Sequence, residues 1–156
     1  MATTNLSSRK GKTNEKLGSK RIAIVVSEWN SEVTESLYVS CHATLVQHGV
    51  NRENIIKKMV PGSFELTLGS QWMAQQDEID AVICLGCVIQ GETRHFDFIC
   101  QSVAQGVKDV ALKYNKPVIF GVLTTDTKKQ ALDRAGGKHG NKGDEAAYTA
   151  VKMLDF

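Results

Sequence analysis

A chain of 156 residues with 42% hydrophobic and 23% charged side chains has the make-up of one soluble globular domain. Its formal charge of +2 is too small to point to nucleic acid, no apolar run nears the roughly 18 to 20 residues of a membrane span, and no apolar leader marks it for secretion. Four cysteines (Cys41, Cys84, Cys87, Cys100) do not make a disulfide scaffold at this length and fit a reduced, cytoplasmic setting.

Residues 1–20 are rich in Ser, Thr, Asn, Lys and Gly without an apolar period, and are expected to form a flexible N-terminal arm. A single domain is expected over 21–156. It opens on a continuous apolar, β-branched run, IAIVV at 22–26, the pattern of a strand covered on both faces. Asn30 or Ser31 can cap the next helix, in which Val33, Leu37, Cys41 and Leu45 recur at four-residue steps before Gly49 stops it.

A second strand at about 54–60 ends at Pro61-Gly62, and a helix opened by Ser63 would carry Phe64, Leu68, Trp72 and Met73 on one side. The third strand is 81–85. Its helix places Phe96, Ile99, Val103, Val107, Val110 and Tyr114 at steps of three and four. A fourth strand occupies 118–122, a short helix 128–135 and a loop the GGKHGNKG segment at 136–143. Asp144 would cap the last helix.

Four strand–helix alternations predict a three-layer α/β/α sandwich around a four-stranded parallel sheet, of the flavodoxin-like kind. In such sheets ligands bind beyond the carboxyl ends of the strands. That singles out Trp29-Asn30, residues 61–65, residues 86–98 and Thr124-Thr125.

The densest of these is GCVIQGETRHFDF at 86–98, with a hydroxyl (Thr93), a cation (Arg94), an imidazole (His95) and a carboxylate (Asp97) within five residues. Gly91-Glu92-Thr93 at a helix N-terminus suits an anion cradle or an ordinary βα turn capped by Thr93. His95 suits proton transfer near neutral pH, or a structural role. Arg94 and Asp97 flank it and can tune it. Trp29 can stack on a planar heterocycle or simply pack. Arg134, Lys138 and Lys142 can neutralise a phosphate or stay solvated, because no Gly-Lys-Ser/Thr falls at P-loop spacing.

Cys84 and Cys87 form a C-x-x-C, but residues three apart on a strand point to opposite faces, which argues against a redox pair. With no second cysteine pair, and with His42 and His48 on another element, no metal site is expected.

Together WN at 29–30, VPGSFE at 60–65, LGCVIQGETRHFDF at 85–98, PVIFGVLTTD at 117–126 and ALDRAGGKHGNKG at 131–143 resemble the lumazine synthase family. The resemblance implies condensation of 5-amino-6-(D-ribitylamino)uracil with 3,4-dihydroxy-2-butanone 4-phosphate to 6,7-dimethyl-8-ribityllumazine, without metal or organic cofactor. It assigns Trp29 to stacking on the pyrimidine, and Ser63, Phe64 and Glu65 to the ribityl side. Cys87, Val88 and Ile89 would meet the uracil largely through backbone. Glu92, Thr93 and Arg134 match phosphate positions, His95 the proton-transfer residue, and Lys142 an accessory position nearby.

In the same resemblance Phe120 reaches a neighbouring subunit's site, while Arg134 completes the site of its own chain. It further implies a homopentamer, a sixty-subunit icosahedral shell suggested by the compact 136–143 loop, and riboflavin synthase as a partner. Gln90 stands where many relatives have Lys or Arg, Glu92 where a small residue is common. Trp29 replaces a more frequent Phe, which makes riboflavin a candidate ligand.

Overall fold

The computed structural model describes residues 15–156. In chain order it contains β1 (Ile22–Ser27), α1 (Ser31–Gln47), β2 (Ile55–Val60), α2 (Leu66–Ala74), β3 (Ala81–Ile89), α3 (His95–Tyr114), β4 (Val118–Thr125), α4 (Lys128–Asp133), β5 (Ala135–Gly137), β6 (Gly140–Asn141) and α5 (Lys142–Leu154). The first four strands form one sheet in the order β2-β1-β3-β4. All three pairings are parallel, and the register sets Ile22 beside Ile55 on one side and Ala81 on the other. The expected parallel α/β/α architecture is the observed one.

The alternation of side chains along β1 divides the core in two. Ile22, Ile24 and Val26 pack with Leu37, Leu45, Ala147 and Val151 beneath α1 and α5. Ala23 and Val25 pack with Leu66, Met73, Val103 and Val107 beneath α2 and α3. Both faces of β1 and of most of β3 are dry, which is why those strands read as unbroken apolar runs, whereas the edge strand β2 carries Lys57 and Lys58 and is partly open. No helix among the described residues is long and apolar enough to cross a membrane.

Several local expectations are corrected. The segment 1–14 of the expected arm lies outside the described residues, but Glu15–Leu17 form a 3-10 turn and Leu17 is only 2% exposed, inside the α1/α5 core. The packed fold therefore begins before Arg21. Leu17→Ala is expected to cost about 2 to 5 kcal/mol, as for other buried leucines, measurable as a lower denaturation midpoint.

Helix α2 starts at Leu66, because the Glu65 carboxylate turns back to accept from the Gly62 amide (3.0 Å) and holds the preceding residues in a turn. Its sheet-facing side is Leu66, Gly69, Ser70, Met73 and Ala74, whereas Phe64, Leu68 and Trp72 stay largely exposed. A Cβ on Gly69 would lie 2.9 Å from a Val60 methyl and 3.0 Å from one of Val25, so a small residue is what lets α2 approach the sheet.

Asp144 is not the cap of α5. Asn141 is, accepting from the Gly143 amide at 2.8 Å, while Asp144 accepts from the Ser40 and Thr44 hydroxyls of α1. The 136–143 segment is not featureless either: β5 and β6 pair antiparallel as a short hairpin, in which Gly136 of β5 and Gly140 of β6 have φ of 103° and 79°. Those left-handed values are costly for residues with a side chain.

Candidate active site

The strand order turns outward in opposite directions from β1 and β3, so the connections after these two strands diverge and leave a crevice at their carboxyl ends. A cavity of about 820 Å³ opens there. Trp29 and Asn30 contribute from the β1–α1 loop, residues 61–65 from the β2–α2 loop and Cys87, Val88 and Ile89 from the end of β3. Gly91, Thr93, His95, Phe96 and Ile99 complete the wall from the β3–α3 loop and the first turns of α3.

The β1–α1 loop is fastened at four points. The Ser27 carbonyl accepts from the Thr34 hydroxyl (2.8 Å), the Glu28 amide donates to Val60 O (2.9 Å), and the Trp29 amide donates to Pro61 O (3.1 Å). Asn30 stands in a left-handed conformation, φ 59° and ψ 44°, and its Nδ2 donates to Cys87 O at 2.9 Å. Its carboxamide therefore crosses to β3 instead of capping α1. Trp29 is 75% exposed and presents its ring at the cavity mouth, so the packing alternative does not describe it.

Gly86 decides how closely the β2–α2 loop sits on β3. A Cβ there would fall 2.8 Å from both Leu66 Cδ1 and Ser63 Oγ. Ser63 is thereby brought to the wall almost fully buried, with its hydroxyl unpartnered among the described residues. Such a group loses free energy unless a ligand or water satisfies it.

His95 is the first residue of α3, solvent-accessible at the cavity wall, with its backbone amide 3.4 Å from Thr93 Oγ1. The free amides of this helix start give the wall a partial positive charge. Gln90 closes the loop from outside, its amide donating to Thr125 O (2.8 Å) and its Nε2 to Gly91 O (2.9 Å). Arg94 and Asp97 do not engage the imidazole. They pair with each other at 3.6 Å, Nε to Oδ2, on the exposed side.

The cysteines are all free. Cys84 packs in the α2/α3 core and Cys87 in the α1/α5 core, on opposite faces of β3. Burial pushes the Cys84 thiol up to about 12 and that of Cys87 up to about 11, the reverse of what a reactive thiolate needs. Among the described residues no group of three His, Cys, Asp or Glu side chains is placed to hold a metal ion.

Four expected site residues lie outside this cavity. Glu92 is exposed on the loop. Phe120 and Lys142 line a second groove of about 800 Å³ beside the β4 edge, between the end of α3 and α5, where Lys142 Nζ holds Glu145 Oε2 at 2.9 Å. Arg134 follows α4. The adjacent Ala135 carbonyl accepts from Ser36 of α1 (2.6 Å), so this segment packs on the α1/α5 side. Arg134 is not among the residues that line the cavity, which opens between the β2–α2 loop and α3.

Half-buried, Arg134 makes no ion pair or side-chain hydrogen bond among the described residues. Thr124 and Thr125 are also absent from the wall: the Thr125 hydroxyl donates to Thr127 O (3.1 Å). Conversely Ile99, expected only on the buried face of α3, is a wall residue, while Pro61, Gly62 and Phe96 fall within the stretches singled out above.

The profile of the family described as 6,7-dimethyl-8-ribityllumazine synthase matches residues 19–156. The chain belongs to this family. A protein of Cytophaga hutchinsonii bearing the same name is 63% identical over 153 residues, covering 98% of this chain and 96% of that one. Another, from Parabacteroides distasonis, is 57% identical over 135 residues, 86% and 84% of the two chains. A third, from Flavobacterium psychrophilum, is 47% identical over 152 residues, 97% and 80%. The family match thus covers residues 19–156, cavity and second groove included, and not one motif alone.

Proposed function

We propose that the chain condenses 5-amino-6-(D-ribitylamino)uracil with 3,4-dihydroxy-2-butanone 4-phosphate to 6,7-dimethyl-8-ribityllumazine, the penultimate step of riboflavin biosynthesis. The observation that carries this is the family match over residues 19–156, joined to a cavity built from the ends of β1, β2 and β3. The amine adds to the ketone and loses water to give an imine. Phosphate then departs, and ring closure releases a second water. Each step moves protons or releases an anion, so the site must hold two substrates, a proton carrier and an anion.

In this reading the Trp29 ring stacks on the pyrimidine, backbone groups of Cys87, Val88 and Ile89 take its polar edge, and Ser63, Phe64 and Glu65 face the ribityl chain. The buried, unpartnered Ser63 hydroxyl supports the last role. Glu92 and Thr93 offer backbone amides to phosphate at the start of α3, and His95, open to the cavity, relays protons. No metal or organic cofactor enters the chemistry.

His95→Ala is expected to lower kcat by roughly 10²- to 10⁴-fold, the usual worth of a positioned acid–base, without abolishing turnover, because substrate positioning survives. Steady-state formation of the lumazine, followed by its absorbance, tests both the variant and the parent reaction. Absence of product from the parent enzyme with both substrates present would refute the proposed function.

The phosphate end requires a second subunit. Arg134, Phe120 and Lys142 sit away from their own chain's cavity, and a neighbour in a ring would bring them to it. The unsatisfied Arg134 guanidinium supports this reading, as does the apolar surface left open along the groove at Leu112 and Met153 and on α2 at Leu68 and Trp72. The assembly is a homopentamer in this account, with a sixty-subunit icosahedral shell as its closed form and riboflavin synthase as a partner, and the setting is the cytoplasm.

A further inference from the structure

We propose that Asn30 is the positioning residue of the pyrimidine end: its left-handed turn aims Trp29 and its carboxamide, bonded to Cys87 O, orients that carbonyl for the ligand. This rests on the reading of the cavity as the pyrimidine site. Trp29 has little packed against it, so the direction of its ring is inherited from the backbone on either side. On one side the amides of Glu28 and Trp29 are tied to Val60 and Pro61. On the other the chain must turn sharply into α1, and Asn30 makes that turn at φ 59°.

Few residues with a side chain occupy this region readily, and Asn is among those that do. The Asn30 carbonyl then accepts from the amides of both Val33 (2.8 Å) and Thr34 (3.1 Å), which starts the helix. Its Nδ2 reaches across to Cys87 O (2.9 Å), joining the ends of β1 and β3 at the crevice itself. A carbonyl oxygen has two acceptor positions. Asn30 occupies one, and the second remains for a donor inside the cavity, such as a ring N–H or amino group. One residue thus couples the stacking face to the hydrogen-bonding edge. Loss of it should be felt by the pyrimidine and not by the phosphate-bearing ketone.

The test uses the full chain carrying Trp72→Phe, which leaves Trp29 as its single tryptophan. Asn30→Gly keeps the left-handed turn and deletes the strut. Asn30→Asp keeps the shape but sets a carboxylate against the Cys87 carbonyl. Trp29 fluorescence anisotropy is expected to fall in both variants. KM for the aminopyrimidine should rise on the order of tenfold in Asn30→Gly and further in Asn30→Asp, with KM for the phosphate-bearing ketone within about twofold of the parent.

Unchanged anisotropy in Asn30→Gly would overturn the proposal. So would a parallel rise of both KM values together with a lower unfolding midpoint, which marks a general folding role. If the parent protein forms no lumazine, the proposed function fails, while the anisotropy comparison still decides whether Asn30 holds Trp29.

Discussion

Arg134→Ala is expected to raise KM for 3,4-dihydroxy-2-butanone 4-phosphate by roughly 100- to 1,000-fold, about 3 to 4 kcal/mol, while leaving KM for the aminopyrimidine nearly unchanged. Surface arginines usually find a carboxylate or a carbonyl. Arg134 is half-buried and has neither among the described residues, whereas the nearby Lys142 is already committed to Glu145. A guanidinium in that condition gains more from a phosphate than an exposed cation does, because part of its desolvation has been borne by the fold. In the proposed role it also holds the anion as it departs, so kcat should fall along with affinity. Arg134→Lys should recover only a fraction, since a point charge does not reproduce the two-pronged contact. Steady-state kinetics with each substrate varied in turn separates the effects. Equal KM values for parent and Ala variant would remove Arg134 from the phosphate site.

Gly143→Ala is expected to be the most destabilising single-methyl change in the fold, at about 3 kcal/mol or more. Gly143 lies in the first turn of α5, where a Cβ would come 2.0 Å from Leu37 O and 2.8 Å from Leu37 C. Both are backbone atoms of α1 and cannot rotate away. The clash can be relieved only by separating α1 from α5, which opens the core containing Leu37, Ala146 and Ala147 and strains the Asn141 cap and the Asp144 bonds to Ser40 and Thr44. Thermal unfolding should show a loss of about 10 °C at this chain length. Gly91→Ala is the control, because a Cβ there meets nothing within 4 Å. Similar midpoints for the two variants would contradict the close helix contact.

The sheet was legible because β1 and most of β3 and β4 are buried on both faces, so the IAIVV run and its counterparts in β3 and β4 carry a near-continuous apolar signal. The crevice was legible for a topological reason: alternating strands and helices leave the loops after β1, β2 and β3 on one edge, where Trp29 and Ser63 sit in the loops, Cys87 lies toward the end of β3 and His95 begins α3. What escaped depends on partners distant in sequence. The buried face of α2 is marked by Gly69 and Ser70, not by its largest side chains, because close approach to Val25 and Val60 selects small residues. Leu17 lies in a polar stretch and shows its role only once the core around it exists. Asn30 carries the same helix-start signal whether its carboxamide caps α1 or crosses to Cys87. The side of the sheet to which Arg134 belongs is set by the Ser36–Ala135 bond, which no local period announces.

The claim on which the account turns is that a working site draws His95 from one chain and Arg134 from the next. Co-expressing His95→Ala and Arg134→Ala chains in equal amounts, purifying the mixed oligomer and measuring lumazine formation tests it directly. In a randomly mixed ring about one site in four combines an intact His95 with an intact Arg134 from its neighbour, so activity should return to about a quarter of the parent value. Activity no higher than the mean of the two variants alone, in a demonstrably mixed oligomer, would place both residues in the site of a single chain and contradict the shared site.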